Sequence, residues 1–346
     1  MMKLLHIVRR YGPVGGMERY VWELTRELAA MGHEVTVLCE TLEADPADAS
    51  DINIVELGSI RSKPRWLAHL RFSHKVSQWV ATHPDANRII HSHERTAVHQ
   101  ITTFHGPPFA LVRNKPLWKR LSPRIYANLW LEKRELCGPQ VKAVIPNSPM
   151  IAASLLEFYP ELGSTLVEPV VPGVGDIPTR APRTVSESGG VIGFVGKEWK
   201  RKGLDIAVAI VAQLRLRRPD LEFVVAGPKP KEVRFLFNGW DGGYTLLGEA
   251  DATQLYAGFD LLLHPARQEP YGMVIAEARA AAVPVLVSDL CGISAELDAV
   301  QVMSLASDHI EWSYACEQML THQPERVIHS WHDVATEQIK CYRQTL

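Results

Sequence analysis

A strand, a glycine loop, a helix and a second strand fall within the first 40 residues, and this unit constrains the fold more than any other feature. Leu4 to Val8 is a short apolar run of the kind that forms a buried parallel strand. Tyr11-Gly-Pro-Val-Gly-Gly16 interrupts it with turn residues. From Met17 to Met31 the apolar Val21, Leu24, Leu28 and Met31 recur at helical spacing, and Gly32 is placed to end the helix. Glu34 to Cys39 reads as the next strand. Parallel strands need a crossover, which is usually a helix lying on a sheet face, so the class is α/β with a doubly wound sheet.

The pattern continues and then restarts. Strands are expected at Arg88 to His91, Ile101 to Phe104 and Val141 to Ile145, with a helix from Met150 to Phe158. Ile177 to Gly190 holds two prolines, two serines and two glycines without hydrophobic period, which reads as a linker. Beyond it come a strand at Gly190 to Val195, a polar loop to Gly203 and a helix from Leu204 to Leu216. Strands follow at Leu221 to Ala226, Thr245 to Leu247, Asp260 to His264 and Val283 to Val287. The chain of 346 residues exceeds one ordinary core. The expected organisation is a Rossmann-like domain over 1–177, a linker over 178–190 and a second Rossmann-like domain over 191–324. A C-terminal helix over 325–346 would pack back on the first domain. Two doubly wound domains of this kind are expected to face a central cleft, since ligands bind beyond the carboxyl ends of such strands.

Apolar residues make up 46% and charged residues 22%, as in a globular protein. The five cysteines are scattered and include no C-x-x-C, which argues for reduced thiols in the cytoplasm. The apolar run at Leu4 is too short for a signal peptide, and no window reaches the ~20 apolar residues of a membrane span. The net charge of −2 suggests no affinity for polyanions, but the average conceals a segment. Between Ser59 and Ala143 there are 15 Lys+Arg against 4 Asp+Glu, interleaved with Trp66, Phe72, Phe109, Trp118, Tyr126 and Trp130. PLWKRLSPRIYANLWLEKR, from Pro116 to Arg134, reads as an interfacial stretch, with cations for anionic head groups and aromatics for the boundary. The plainer reading is a solvated basic surface with aromatics in the core. Nucleic acid is not an expected partner, because no motif for it is present.

Three loops could carry chemistry. Gly12 to Gly16 precedes a helix whose first amides could serve a phosphate. Gly196-Lys-Glu-Trp-Lys-Arg-Lys-Gly203 presents Lys197 and Lys202, which could neutralise a diphosphate. In Glu269-Pro-Tyr-Gly-Met-Val-Ile-Ala-Glu277 two carboxylates stand eight residues apart. Gly272 and Met273 lie at a helix start, and Glu277 about one turn inside could accept from a ribose diol. His91 and His93 share a strand face, but no third ligand stands at a recognisable spacing, so no metal site is expected. No D-x-D occurs, so a metal on the diphosphate is unnecessary and no cofactor is expected.

These elements resemble the retaining GT-B enzymes of glycosyltransferase family 4 over nearly the whole chain. EPYGMVIAEA is similar to the family's glutamate pair in an E-x-F-G-like context, and GKEWKRKG to its G-R-x-x-x-x-K-G, with Lys197 for the usual Arg. GGMERY is similar to its amino-terminal glycine loop and TTFHG to its histidine-bearing loop. HPARQE, LCG and LEKRELCGPQVKAVIPNSPMI look most like lipopolysaccharide-core glucosyltransferases. The resemblance implies that Glu277 binds the ribose, and that Glu269 binds the donor sugar with the amides of Gly272, Met273 and Val274. It gives Lys197 and Lys202 the diphosphate. Gly15 and Gly16 would complete the phosphate site, Leu247 and Gly248 would lie by the nucleotide, and His105 would lie by the sugar. Ala282 stands where the family usually has glycine, and Pro172-Gly-Val-Gly175 lacks the Asn and Asp of its N-G-V-D.

The implied activity is retaining, metal-independent transfer of a hexose from a nucleotide-diphosphate sugar, UDP-glucose foremost, to a lipid-linked glycan such as lipopolysaccharide core. The enzyme would be cytoplasmic and peripheral on the inner face of the membrane. Other readings share the fold: a GDP-mannose-dependent mannosyltransferase, a nucleotide-sugar 2-epimerase and a non-catalytic relative. The basic segment speaks against the epimerase. Glu269, Glu277 and both lysines speak against the non-catalytic relative.

Overall fold

The computed structural model describes residues 1–345. The chain divides into two compact units, one of Met1–Gly173 with the residues from Ser330 onward, the other of Val174–His329. Each holds a six-stranded parallel sheet. In the first, the order across the sheet is Asn53–Glu56, Glu34–Cys39, Lys3–Ile7, Arg88–Ser92, Ile101–Phe104 and Ala143–Pro146. In the second it is Tyr244–Gly248, Asp220–Ala226, Gly189–Val195, Leu261–His264, Val285–Ser288 and Val302–Met303. Counted in chain order within each unit, both sheets read 3-2-1-4-5-6. The order reverses between strands one and four, where neighbouring connections leave in opposite directions and open a crevice at the carboxyl ends.

Helix Gly16–Ala30 buries Tyr20, Val21, Leu24 and Leu28 against the first sheet. The C-terminal helix Trp331–Thr345 belongs to the same unit and adds Val334, Ile339 and Tyr342 to that core. Burial of each such aliphatic side chain contributes roughly 1.5–3 kcal/mol. The helix is shorter than the expected 325–346, residues 325–329 lie in the second unit, and Leu346 lies outside the described residues. In the second unit, helices Leu204–Arg215 and His309–Leu320 cover Phe194, Phe223 and Leu263, with Trp312 fully buried.

The expected linker at 178–190 is replaced by a different arrangement. The chain passes between units at Gly173 and Val174, and strand Gly189–Val195 begins before the expected linker ends. Residues 175–188 form neither helix nor strand, yet they are tied to the second unit. Arg180 Nη2 and Arg183 Nε lie 2.9 and 2.7 Å from Asp260 Oδ1, and Asp260 Oδ2 accepts from the Val191 amide at 2.9 Å. A buried ion pair satisfied in this way fixes a segment whose composition alone reads as flexible. Ala282 adopts φ 57°, the one positive φ outside glycine among the described residues, a conformation that costs an L-residue roughly 1–2 kcal/mol.

Candidate active site

In the second unit the reversal point lies between Gly189–Val195 and Leu261–His264. The loops that follow these strands, 196–203 and 265–272, are joined to one another. The Arg267 amide donates to the Arg201 carbonyl at 2.8 Å, and Arg201 Nη1 donates to the Gln268 carbonyl at 2.6 Å. Two glycines permit the close approach. At Gly203, φ 79°, a Cβ would run into the Pro265 carbonyl. At Gly196, φ 152°, it would occupy the path of the Lys202 side chain.

Lys202 and Glu269 meet where these loops join. Lys202 Nζ and Arg201 Nη1 each lie 3.3 Å from Glu269 Oε2, and His264 Nε2 lies 3.6 Å away, just beyond hydrogen-bond length. Burial alone would raise the pKa of Glu269, but His264, Lys202 and Arg201 outweigh it and pull it down to about 2. Burial lowers the pKa of His264 despite the neighbouring carboxylate. The result is an ionised acceptor held among fixed donors. Lys197 instead pairs with Glu249 at 3.1 Å, with side chains 70% and 62% exposed, and a pair so exposed is easily exchanged for another anion. Leu247 and Gly248 end the edge strand Tyr244–Gly248, two places from Gly189–Val195, and the Gly248 carbonyl accepts from Gly227 N at 2.7 Å.

Helix Met273–Ala280 starts from Gly272 with no side-chain cap, so its first amides, Gly272, Met273 and Val274 among them, open beside Glu269. Glu277 is buried in this helix and accepts from the Tyr256 hydroxyl at 2.7 Å. The structure thus brings together Lys202, Glu269 and the helix start, with Lys197 in the loop after Gly189–Val195 and Leu247 and Gly248 at the end of the edge strand of the same sheet. Arg201, His264 and Tyr256 complete the arrangement and escaped the sequence reading. Arg201 counted there only as loop charge, and His264 only as part of HPARQE.

In the first unit Gly15 is the N-cap of Gly16–Ala30 and has no side-chain cap. The carboxylate of Glu18 lies where a Gly15 Cβ would stand and pairs with Arg10, so the chain supplies its own anion at this helix start. His105 follows strand Ile101–Phe104 and is linked to His93, whose Nδ1 lies 2.9 Å from His105 Nε2. His6, His91 and His93 bring ring nitrogens within 4.8 Å of one another. All six of their nitrogens already have hydrogen-bond partners in His93, His6, His105, Tyr342 and Thr103, so a cation there would have to displace that network.

Two Rossmann-like units, one gathering cations and helix amides at its reversal point, define the class as doubly wound α/β. Residues 14–174 match the profile of Glycosyltransferase Family 4 and residues 189–322 that of Glycosyl transferases group 1. The chain belongs to glycosyltransferase family 4 and is a glycosyltransferase of the GT-B type. It is 26% identical to lipopolysaccharide glucosyltransferase WaaG of Escherichia coli K12, over 82% of this chain and 79% of that protein. It is 25% identical to the D-inositol 3-phosphate glycosyltransferase of Jonesia denitrificans, over 88% of this chain and 82% of that one. The crystal structure of WaaG superposes with a TM-score of 0.75 at 20% identity, over 99% of this chain and 95% of that chain. That of Anabaena HepE with UDP and glucose superposes at 0.66 and 17% identity, over all of both chains.

Proposed function

We propose that this glycosyltransferase moves a hexose, glucose from UDP-glucose foremost, to a lipid-linked glycan such as lipopolysaccharide core, with retention and without a metal ion. The observation that carries the reading is the Lys202–Glu269–Arg201 cluster beside the uncapped start of Met273–Ala280. Negative charge grows on the leaving diphosphate, and fixed ammonium, guanidinium and amide groups stabilise it there, so no divalent cation is required. Lys197 leaves Glu249 for the diphosphate. Ionised Glu269 accepts from a sugar hydroxyl, Glu277 from the ribose, and Leu247 and Gly248 border the nucleotide. Gly15 and Gly16 serve phosphate once Glu18 yields its place, and His105 serves the sugar. The relative named for lipopolysaccharide glucosyl transfer and the HepE complexes with UDP-glucose favour this donor. A thermal-shift series with UDP, GDP and ADP is expected to rank UDP first, since a ligand at ~100 Kd stabilises by about 2.7 kcal/mol. Transfer from UDP-glucose in EDTA should then keep the donor's anomeric configuration. A GDP preference would favour the mannosyl donor, and an inverted product or a loss in EDTA would overturn the mechanism.

The acceptor side is read as a membrane-surface face. Leu117, Trp118, Leu121, Tyr126 and Trp130 are exposed within a 14-residue stretch that also carries Arg120 and Arg124. Large apolar groups exposed together among cations suit an anionic lipid interface. Not all of the basic segment belongs to it. Arg95 pairs with buried Glu132 at 3.2 Å, and Arg134 donates to Ser73 Oγ and the Arg95 carbonyl. No helix among the described residues is long and apolar enough to cross a membrane. Arg120→Glu with Arg124→Glu is expected to weaken sedimentation with phosphatidylglycerol vesicles at least ~30-fold, at about 1 kcal/mol per cation. Unchanged binding would return this face to a solvated surface.

A further inference from the structure

His105 ends a hydrogen-bonded chain that runs through the core of the first unit. His105 Nε2 lies 2.9 Å from His93 Nδ1, and His93 Nε2 lies 3.1 Å from His6 Nδ1. His6 Nε2 meets the Tyr342 hydroxyl at 3.5 Å, the longest link, and that hydroxyl lies 2.7 Å from His91 Nδ1. His91 Nε2 is 2.8 Å from Thr103 Oγ1. Thr103 Oγ1 ends the chain, with His91 Nε2 as its one hydrogen-bond partner among the described residues. Every member from Thr103 to His93 is buried. Three strands, the loops after two of them and the C-terminal helix supply the links, so the sheet register and the docking of that helix build the chain.

Burial holds the pKa values of His6 and His105 down at about 3, and those of His91 and His93 well below the ordinary value. Each ring is therefore neutral and has one donor and one acceptor nitrogen, and each hydroxyl has one proton. Where every member uses both ends, all the protons point the same way, and the orientation at one end sets the other. Thr103 sets it. Its buried hydroxyl meets only His91 Nε2, and accepting there would leave its own proton without an acceptor, so the Thr103 proton points to His91 Nε2. The His91 proton then sits on Nδ1, the Tyr342 proton points to His6 Nε2, and the His6 Nδ1 proton points to His93. His93 Nδ1–H donates to His105 Nε2.

We propose that this buried chain holds His105 as its Nδ1–H tautomer, so that the ring offers substrate a hydrogen-bond donor and not a base. The inference rests on the role given to His105 above. His93, His6, Tyr342 and Thr103 are positioning residues that act on sugar transfer only through it. The group they prepare His105 to meet is an acceptor, a sugar hydroxyl oxygen or a phosphate oxygen.

The test uses the full chain labelled with 15N-histidine, in which two-bond 15N–1H correlations read each tautomer. The wild type should show His105 protonated at Nδ1 alone. Tyr342→Phe removes one hydroxyl and keeps the ring, and it should give mixed tautomers at His105. It should also lower kcat about tenfold with the donor KM unchanged, the scale of one lost hydrogen bond. Thr103→Val, which keeps the shape and removes the hydroxyl, should do the same. In a His105→Ala background, Tyr342→Phe should cost nothing more. A pure Nδ1–H signal in both variants, or a full tenfold loss in the His105→Ala background, would overturn the proposal. Wild-type turnover by His105→Ala alone would instead overturn the role of His105 in transfer, whatever the spectra read.

Discussion

Lys202→Ala is expected to lower kcat about 10²–10³-fold, the cost of removing one preorganised donor from a site of developing negative charge. The Lys202 side chain is only 14% exposed, so water replaces its charge poorly. Its aliphatic stem runs past Gly196, where any Cβ would collide with it, and its Nζ is directed by Glu269. The ammonium is thus oriented before substrate arrives, and that orientation makes it worth more than a surface lysine. Lys202→Arg restores charge, but its planar head needs more room than the path beside Gly196 offers, and it should recover only part of the rate. Lys197 is paired at the surface with Glu249, so its removal should cost far less. Steady-state turnover at saturating nucleotide-sugar, with thermal melting to confirm folding, gives the answer. A Lys202→Ala enzyme within threefold of wild type would remove this residue from the diphosphate.

The repeated strand–loop–helix pattern was legible because parallel strands buried on both faces leave continuous apolar runs, and because glycines mark the turns that follow them. Glu34–Cys39 and Ile101–Phe104 coincide with the runs read from the sequence. Helix Pro123–Cys137 was hidden for a physical reason. Its inner face carries Glu132 and Glu135 beside Ile125, Leu131 and Leu136, while Tyr126 and Trp130 lie outside. Hydrophobic period fails when carboxylates go inward. Glu132 is tolerated there because it accepts from the Phe109 and Ala110 amides at 2.6 and 2.9 Å and from the Tyr159 hydroxyl at 2.8 Å. The site divides in the same way. Lys202, Glu269 and Glu277 sit in motifs whose spacing is local. The contacts of Arg201 and His264 with Glu269, and of Tyr256 with Glu277, depend on which strand ends adjoin, and composition says nothing of that. The histidine chain is the extreme case, since His91 and Tyr342 touch across 251 residues of sequence.

Glu277→Gln is expected to weaken nucleoside diphosphate binding about 10–100-fold, since hydrogen bonds to a charged group are worth roughly 1.5–3 kcal/mol. The substitution keeps the shape of a side chain that is only 6% exposed and isolates the loss of charge. Glu277→Ala would also leave the Tyr256 hydroxyl without the carboxylate it meets at 2.7 Å, and would mix a stability cost with the binding cost. The position of Glu277 explains why the effect should fall on binding and not on chemistry. It lies one turn inside Met273–Ala280, beyond the amides that open the helix, so its proposed partner is the ribose, a part of the donor that does not react. A contact of that kind is equal in the ground and transition states, so KM for the nucleotide-sugar should rise with kcat nearly unchanged. Calorimetric titration with UDP and GDP, set beside the same titration of the bases' free nucleosides, reads it directly. Equal loss for diphosphate and nucleoside places Glu277 on the ribose. Unchanged affinity for every nucleotide would remove it from the site, and a loss confined to the diphosphate would place it on the phosphates.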